Sequence, residues 1–156
     1  MELDPSLQPL FRSVGDGEDK YAFALVDAEQ MKRTAWGLPP GMALIDRAGT
    51  RSAAAQGLKG PSGLAPVTKA SQLQASPQRL YLMAAATSSG LTVLVGLLKV
   101  GEKTLYHWGA RGEIHNLRDM PCVLDFYVHE DWQRRGAGLA LFSAMLAAEQ
   151  IGRALV

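Results

Sequence analysis

The chain has 156 residues, a formal net charge of +1, 47% apolar residues and a single cysteine. That length supports one domain around one core, and the near-neutral charge gives no bulk electrostatic case for nucleic-acid binding. No stretch is apolar and long enough to span a membrane, the acidic start has no signal-peptide core, and one thiol cannot close an internal disulfide, which suits the cytoplasm.

Residues 1–39 are the least legible part. Tyr21–Val26 reads as a strand and Asp27–Trp36 as a short helix, which Gly37-Leu-Pro-Pro-Gly41 should stop. The apolar spacing of Met42, Leu44 and Ile45, followed by several alanines, predicts a helix over 42–55, weakened at Gly49 and Thr50 and ended by Gly57. Gln56 sits at that end, where a polar residue near a cap is ordinary. Residues 57–77, rich in Gly, Ser, Pro and Ala, read as one long loop. Three antiparallel strands are expected next, over 79–85, 91–100 and 103–108, with turns at Thr87–Gly90 and Gly101-Glu102. From Arg47 to Gly101 the chain carries Arg47, Arg51, Lys59, Lys69, Arg79 and Lys99 and no Asp or Glu. That run is either a solvated basic surface or a face toward an acidic partner or anionic cofactor. No internal repeat is visible.

The sharpest pattern lies between Cys122 and Leu139. Val123, Leu124, Phe126, Tyr127 and Val128 suit a packed strand. Leu139, Phe142, Met145 and Leu146 recur at helical spacing, predicting a helix to about Gln150. Between them stands Gln133-Arg-Arg-Gly-Ala-Gly138. Glycines let the backbone approach a bulky anion. The first amides of a helix lack intrahelical partners and favour negative charge, and Arg134 and Arg135 add cations. A tight connection with two surface arginines would look the same locally; the flanking strand and helix favour a phosphate site. Residues 153–156 read as the opening of a further strand. His107, His115 and His129 have no metal-ligand spacing, so no metal is expected.

The spacing Gln133-x-x-Gly136-x-Gly138 resembles the acetyl-CoA loop of the GNAT superfamily of N-acetyltransferases. The run Pro121-Cys-Val-Leu-Asp-Phe-Tyr-Val-His-Glu130, with Gly96–Gly101 and Ala54–Leu58, is similar to the core of the α-tubulin N-acetyltransferase family. The likeness extends from about Pro40 to the C-terminus. It implies an α+β fold, resembling an α/β sandwich, with a mixed, mostly antiparallel sheet flanked by helices, in one domain spanning 1–156. It also implies acetyl transfer from acetyl-CoA to a lysine of α-tubulin in microtubules, by direct attack in a ternary complex and without an acyl-cysteine. Such a protein is expected to be monomeric, without a nucleic-acid or membrane partner. It is expected in the cytoplasm on the cytoskeleton, the ciliary axoneme included.

By the same resemblance, Phe126, Tyr127, Val128, His129, Glu130, Asp131, Trp132, Gln133, Arg134, Arg135, Gly136, Ala137, Gly138 and Leu139 form the cofactor-binding stretch. A backbone amide near Val128 would face the thioester oxygen. Gln56 and Cys122 are the catalytic candidates, Gln56 by contacting substrate or ordering the centre, Cys122 by sharing proton abstraction with an aspartate. On the residues alone, a lone cysteine among apolar neighbours is more often an inert core thiol. Asp125 is a further candidate, although a strand aspartate is commonly structural. The chain departs from the family at Leu139, where a basic residue is usual, and after Ala154, where the family continues to an aspartate and an Arg-Pro-Ser segment. The resemblance therefore implies a C-terminally truncated sequence whose sheet lacks its last strands. A non-catalytic fragment binding tubulin or CoA, and an acetyltransferase for another amine, are the alternatives.

Overall fold

Apolar stretches with strand periodicity assemble into a five-stranded antiparallel sheet of order β1-β2-β5-β6-β7. The structure is a computed structural model that describes residues 1–13, 20–90 and 92–150. The strands are β1 (Arg12–Ser13), β2 (Tyr21–Val26), β5 (Arg79–Ala86), β6 (Thr92–Trp108) and β7 (Ile114–Val128). Two short strands, β3 (Lys59–Gly60) and β4 (Gly63–Leu64), pair separately. The helices are α1 (Ala28–Arg33), α2 (Pro39–Gln56), α3 (Ala70–Gln74) and α4 (Ala137–Ala148). Among the described residues no helix is long and apolar enough to cross a membrane. The architecture is α+β.

Side chains alternate across the sheet, and each face has its own helical cover. Leu80, Leu82, Ala84, Leu97 and Tyr127 pack with Trp36, Leu44, Ile45 and Ala48 on the α2 side. Tyr81, Met83, Val95, Leu98 and Val100 pack with Ala137, Leu141 and Met145 on the α4 side. Leu3 and Leu7, from the region least legible in sequence, join the α2-side core. Glu2 bridges Val93.

Several expectations need correction. The segment Gly37–Gly41 does not delay the second helix to Met42; α2 begins at Pro39 with prolines in its first turn, where a missing N–H costs nothing. Gly57 does end it, in the left-handed conformation (φ 67°). Residues 57–77 are not one loop, since they hold the β3–β4 pair and α3. Gly101-Glu102 is not a turn: β6 runs straight through it, and β7 starts at Ile114, well before Cys122. The turn lies at Gly109–Glu113, where the Gly109 amide donates to the Glu113 carbonyl at 2.7 Å. Gly101 serves packing instead, because a Cβ there would lie 2.8 Å from Leu124 Cδ1. The expected strand at 153–156 and Leu91 lie outside the described residues.

Gly49, expected to weaken α2, is where the segment after β4 closes onto the helix. A Cβ at this position would sit 1.9 Å from the Thr68 carbonyl oxygen. Gly49→Ala is expected to lower unfolding free energy by about 1–3 kcal/mol through this overpacking, despite the better helix propensity of alanine. Urea denaturation read by circular dichroism measures it; an unchanged or raised midpoint would refute the close approach.

Candidate functional site

Two structures meet on β7. The first is a buried polar cluster on the α2 face. Asp125 is 4% exposed and Lys99, opposite it on β6, is 3% exposed. Charges so deep need polar partners. Asp125 Oδ1 accepts from Ser52 Oγ at 2.7 Å and Gln56 Nε2 at 3.0 Å, and Oδ2 accepts from Thr68 Oγ1 at 2.6 Å. Gln56 Nε2 also donates to Ser52 Oγ at 2.8 Å. Lys99 Nζ donates to the Val67 carbonyl. Burial pushes the Lys99 ammonium below its usual range, and Asp125 opposes that shift. Ser52 and Gln56 reach the carboxylate together because residues four apart share a helix face.

Cys122 belongs to the same face because of a bulge. In a regular strand, residues three apart point to opposite sides. Here Lys99 pairs with Asp125 while the next residue, Val100, pairs with Val123, leaving Leu124 extra. The register then places Cys122 opposite Gly101 and Asp125 opposite Lys99, all on the α2 side. The Cys122 thiol is half-buried and donates to the Met120 carbonyl at 3.4 Å.

The second structure is the glycine loop at the end of β7. A 3₁₀ turn over Glu130–Trp132 follows the strand. The amides of His129, Trp132 and Gln133 are committed to the carbonyls of Val95, His129 and Glu130. The Asp131 amide donates to His129 Nδ1 at 3.2 Å, and the Gln133 side chain folds back onto the Val128 carbonyl at 2.8 Å. Arg134 and Gly136 have positive φ (62° and 80°). Gly136 caps α4 without any side-chain hydrogen bond. The first amide returning to it is that of Ala140, at 3.0 Å, so helix geometry leaves those of Ala137, Gly138 and Leu139 open. Nothing in the fold demands glycine at 138, since a Cβ would meet Phe126 at an ordinary 3.7 Å. Exposed Arg134 and Arg135 flank the loop, Arg135 lying 5.6 Å over the Trp132 ring.

The remaining residues of the stretch are placed by their faces. Phe126 turns to the α4 side and stacks on Phe142 with centroids 6.4 Å apart. Tyr127 is core, with its hydroxyl donating to Glu130 Oε1 at 3.0 Å. Val128 packs on the α4-side cluster. His129 Nε2 lies 3.4 Å from Arg51. Leu139 is 71% exposed. Gln56 and Asp125 are thus brought together, Cys122 shares their face, and the loop opens at the strand's end. Among the described residues no three His, Cys, Asp or Glu side chains converge as a metal site. Ser52, Thr68 and Lys99 were not singled out as site residues from sequence. The available signal was Lys99 itself, a charge inside the apolar run Leu97–Val100, which demands a buried partner. Three of the six basic residues between 47 and 101 are engaged internally: Lys99 here, Arg79 on Glu102 and Glu149, and Arg51 on His129.

The sequence profile of the family described as GNAT acetyltransferase, Mec-17, matches residues 24–154. The chain belongs to this family. Its antiparallel sheet between helices is accordingly the acetyltransferase fold. The chain is similar to "Alpha-tubulin N-acetyltransferase" of Anopheles gambiae, 47% identical over 109 residues, covering 69% of this chain and 21% of the relative. The same name is carried by a relative in Aedes aegypti, 46% identical over 109 residues, 69% of this chain and 37% of the relative. "Alpha-tubulin N-acetyltransferase 1" of Danio rerio is 43% identical over 115 residues, 73% of this chain and 37% of the relative. The chain thus spans well under half the length of each of these proteins.

Burial, and then the Glu130 carboxylate, push the Tyr127 hydroxyl up to about 12 from an ordinary 10.0. The neutral phenol is favoured by folding, so its contribution is complete below pH 10 and lost as pH rises toward 12. Tyr127→Phe is expected to flatten that alkaline loss, leaving the share due to Tyr81, which is raised in the same direction by burial. Unfolding free energies measured across this window check it; an unaltered slope would contradict the burial of the ring.

Proposed function

We propose that the chain carries an acetyl-CoA-dependent N-acetyltransferase activity toward a lysine side chain of α-tubulin in microtubules. Family membership and the names borne by its relatives supply the substrate class. The observation that carries the reading is the open start of α4 beside β7, where the amides of Ala137, Gly138 and Leu139 lack helical partners and Arg134 and Arg135 stand close by. This donor set fits a diphosphate. The absence of a Cβ at Gly138 keeps the approach clear without any demand from the fold itself. Phe126 to Leu139 would hold the donor, with backbone and arginines supplying the polar contacts and Phe126 and Leu139 the apolar ones. When bound, acetyl-CoA supplies an activated acetyl thioester.

The rest of the chemistry falls to this chain's own groups. β7 is the terminal strand of the sheet among the described residues. Cys122, as its thiolate, is assigned proton acceptance from the lysine ammonium, because it is the half-buried cysteine on the face shared with Gln56 and Asp125. Gln56 is assigned contact with the substrate. The associated location is the microtubule cytoskeleton, the ciliary axoneme included, and the working unit is the monomer.

Incubation with acetyl-CoA and polymerised tubulin, followed by detection of acetyl-lysine, is expected to give acetylated α-tubulin. Microtubule co-sedimentation without acetylation would indicate a binding fragment; acetylation of free polyamines in preference to tubulin would indicate another amine substrate. Cys122→Ala is expected to lower kcat about 100-fold with CoA affinity unchanged. Gly138→Ala is expected to keep or slightly raise stability but weaken CoA binding about tenfold, measured by calorimetry. Undiminished CoA affinity in Gly138→Ala would remove the loop from the binding site.

A further inference from the structure

The Gln56 carboxamide nitrogen is directed into the protein, where it donates to Ser52 Oγ at 2.8 Å and Asp125 Oδ1 at 3.0 Å. The assignment of nitrogen inward follows from chemistry. A carboxylate accepts and does not donate. Ser52 already gives its own proton to Asp125, so its oxygen is left to receive one from Gln56. The carboxamide oxygen is therefore the group left over. Among the described residues nothing donates to it, and Gln56 is an exposed residue at the end of α2. Asp125 cannot easily shift to release Gln56, because Thr68 holds its second oxygen and the strand pairing with Lys99 fixes its backbone.

We propose that Asp125 is a positioning residue that fixes the flip of the Gln56 carboxamide, nitrogen inward and oxygen outward, so that the site presents an acceptor to the N–H groups of a primary alkylammonium such as a lysine side chain. An ammonium has three donors and no acceptor. A Gln56 turned the other way would offer it only a donor. Asp125 thereby selects the polarity of the acceptor site without touching the substrate. The substrate assignment rests on the acetyltransferase reading; the flip does not.

The test exchanges donor and acceptor. In Asp125→Asn the amide oxygen keeps the Ser52 and Gln56 donors while its nitrogen turns to Thr68 Oγ1, so the flip is retained. In Gln56→Glu two carboxylates face each other. In the double variant, the amide nitrogen introduced at position 125 donates to one oxygen of the carboxylate introduced at position 56. The other oxygen of that carboxylate points outward, restoring an outward acceptor. KM for polymerised tubulin is expected to rise about tenfold or more in Gln56→Glu, to stay near wild type in Asp125→Asn, and to return toward wild type in the double variant, with CoA affinity constant throughout. Equal or additive losses in the double variant would overturn the proposal.

A second measurement is independent of activity. In the wild-type chain, the Gln56 side-chain NH2 resonance, assigned by its absence in Gln56→Ala, is expected to be shifted and protected from solvent exchange. A freely exchanging, unshifted Gln56 NH2 in folded wild type overturns the proposal whether or not the protein acetylates anything. A protected NH2 in a wild-type chain that acetylates no tubulin would sustain the flip and defeat the acetyltransferase reading instead.

Discussion

The cross-strand rung between Lys99 and Asp125 constrains most of what surrounds it. Two charges with almost no solvent exposure are costly to desolvate, and their mutual attraction alone does not secure a net gain. The cost is contained because their remaining polar valences are met: three donors on the carboxylate, and the Val67 carbonyl on the ammonium. Those partners come from different parts of the chain. Ser52 and Gln56 bring α2; Val67 and Thr68 bring the segment between β4 and α3. Satisfying one buried pair therefore ties helix, connecting segment and sheet together at one point. Gly49 completes the arrangement, since only glycine lets the Thr68 backbone lie against α2.

The bulge at Leu124 brings Cys122 to the face of this structural anchor. Without the extra residue, Cys122 and Asp125 would face opposite sides of the sheet. With it, thiol, carboxylate and the Gln56 amide share the α2 side, while Phe126 and Val128 turn toward α4. The same strand thus divides its labour along its length. Its middle places polar groups under α2, and its end delivers the chain to the glycine loop on the other side.

What could be read from the sequence was what is decided locally. The strand at Tyr21–Val26 and the stop at Gly57 follow from periodicity and from the left-handed preference of glycine. The strand–loop–helix order around Gly136 does too, because each signal lies within a few residues of its consequence. The cluster around Asp125 was illegible for the opposite reason. Its members are separated by up to 73 residues in the chain, and Ser52 and Thr68 have no local peculiarity. Gly101 was misread because glycine has two uses, reversing the chain and clearing space. Its neighbour Leu124 fills that space only once the bulge has turned it inward.

The loop and the anchor still need a fixed relation, and α4 is held at its far end to provide it. Arg79 on β5 grips Glu149 with Nη2 to Oε1 at 2.6 Å and Nε to Oε2 at 2.8 Å, and reaches Glu102 on β6 at 2.7 Å. Tyr81 adds its hydroxyl to the same Glu149 carboxylate. Glu149 is held below the usual carboxylate range chiefly by the Arg79 guanidinium. A bidentate, partly buried pair resists both sliding and rotation better than a single point charge would. Leu141 and Met145, buried along the helix between its two ends, transmit that restraint to Ala137. The open amides of α4 are therefore placed by the sheet itself. Under the proposed reading, an anion docking there would meet donors already in position, and the ordering cost that weakens binding to mobile loops would have been met during folding.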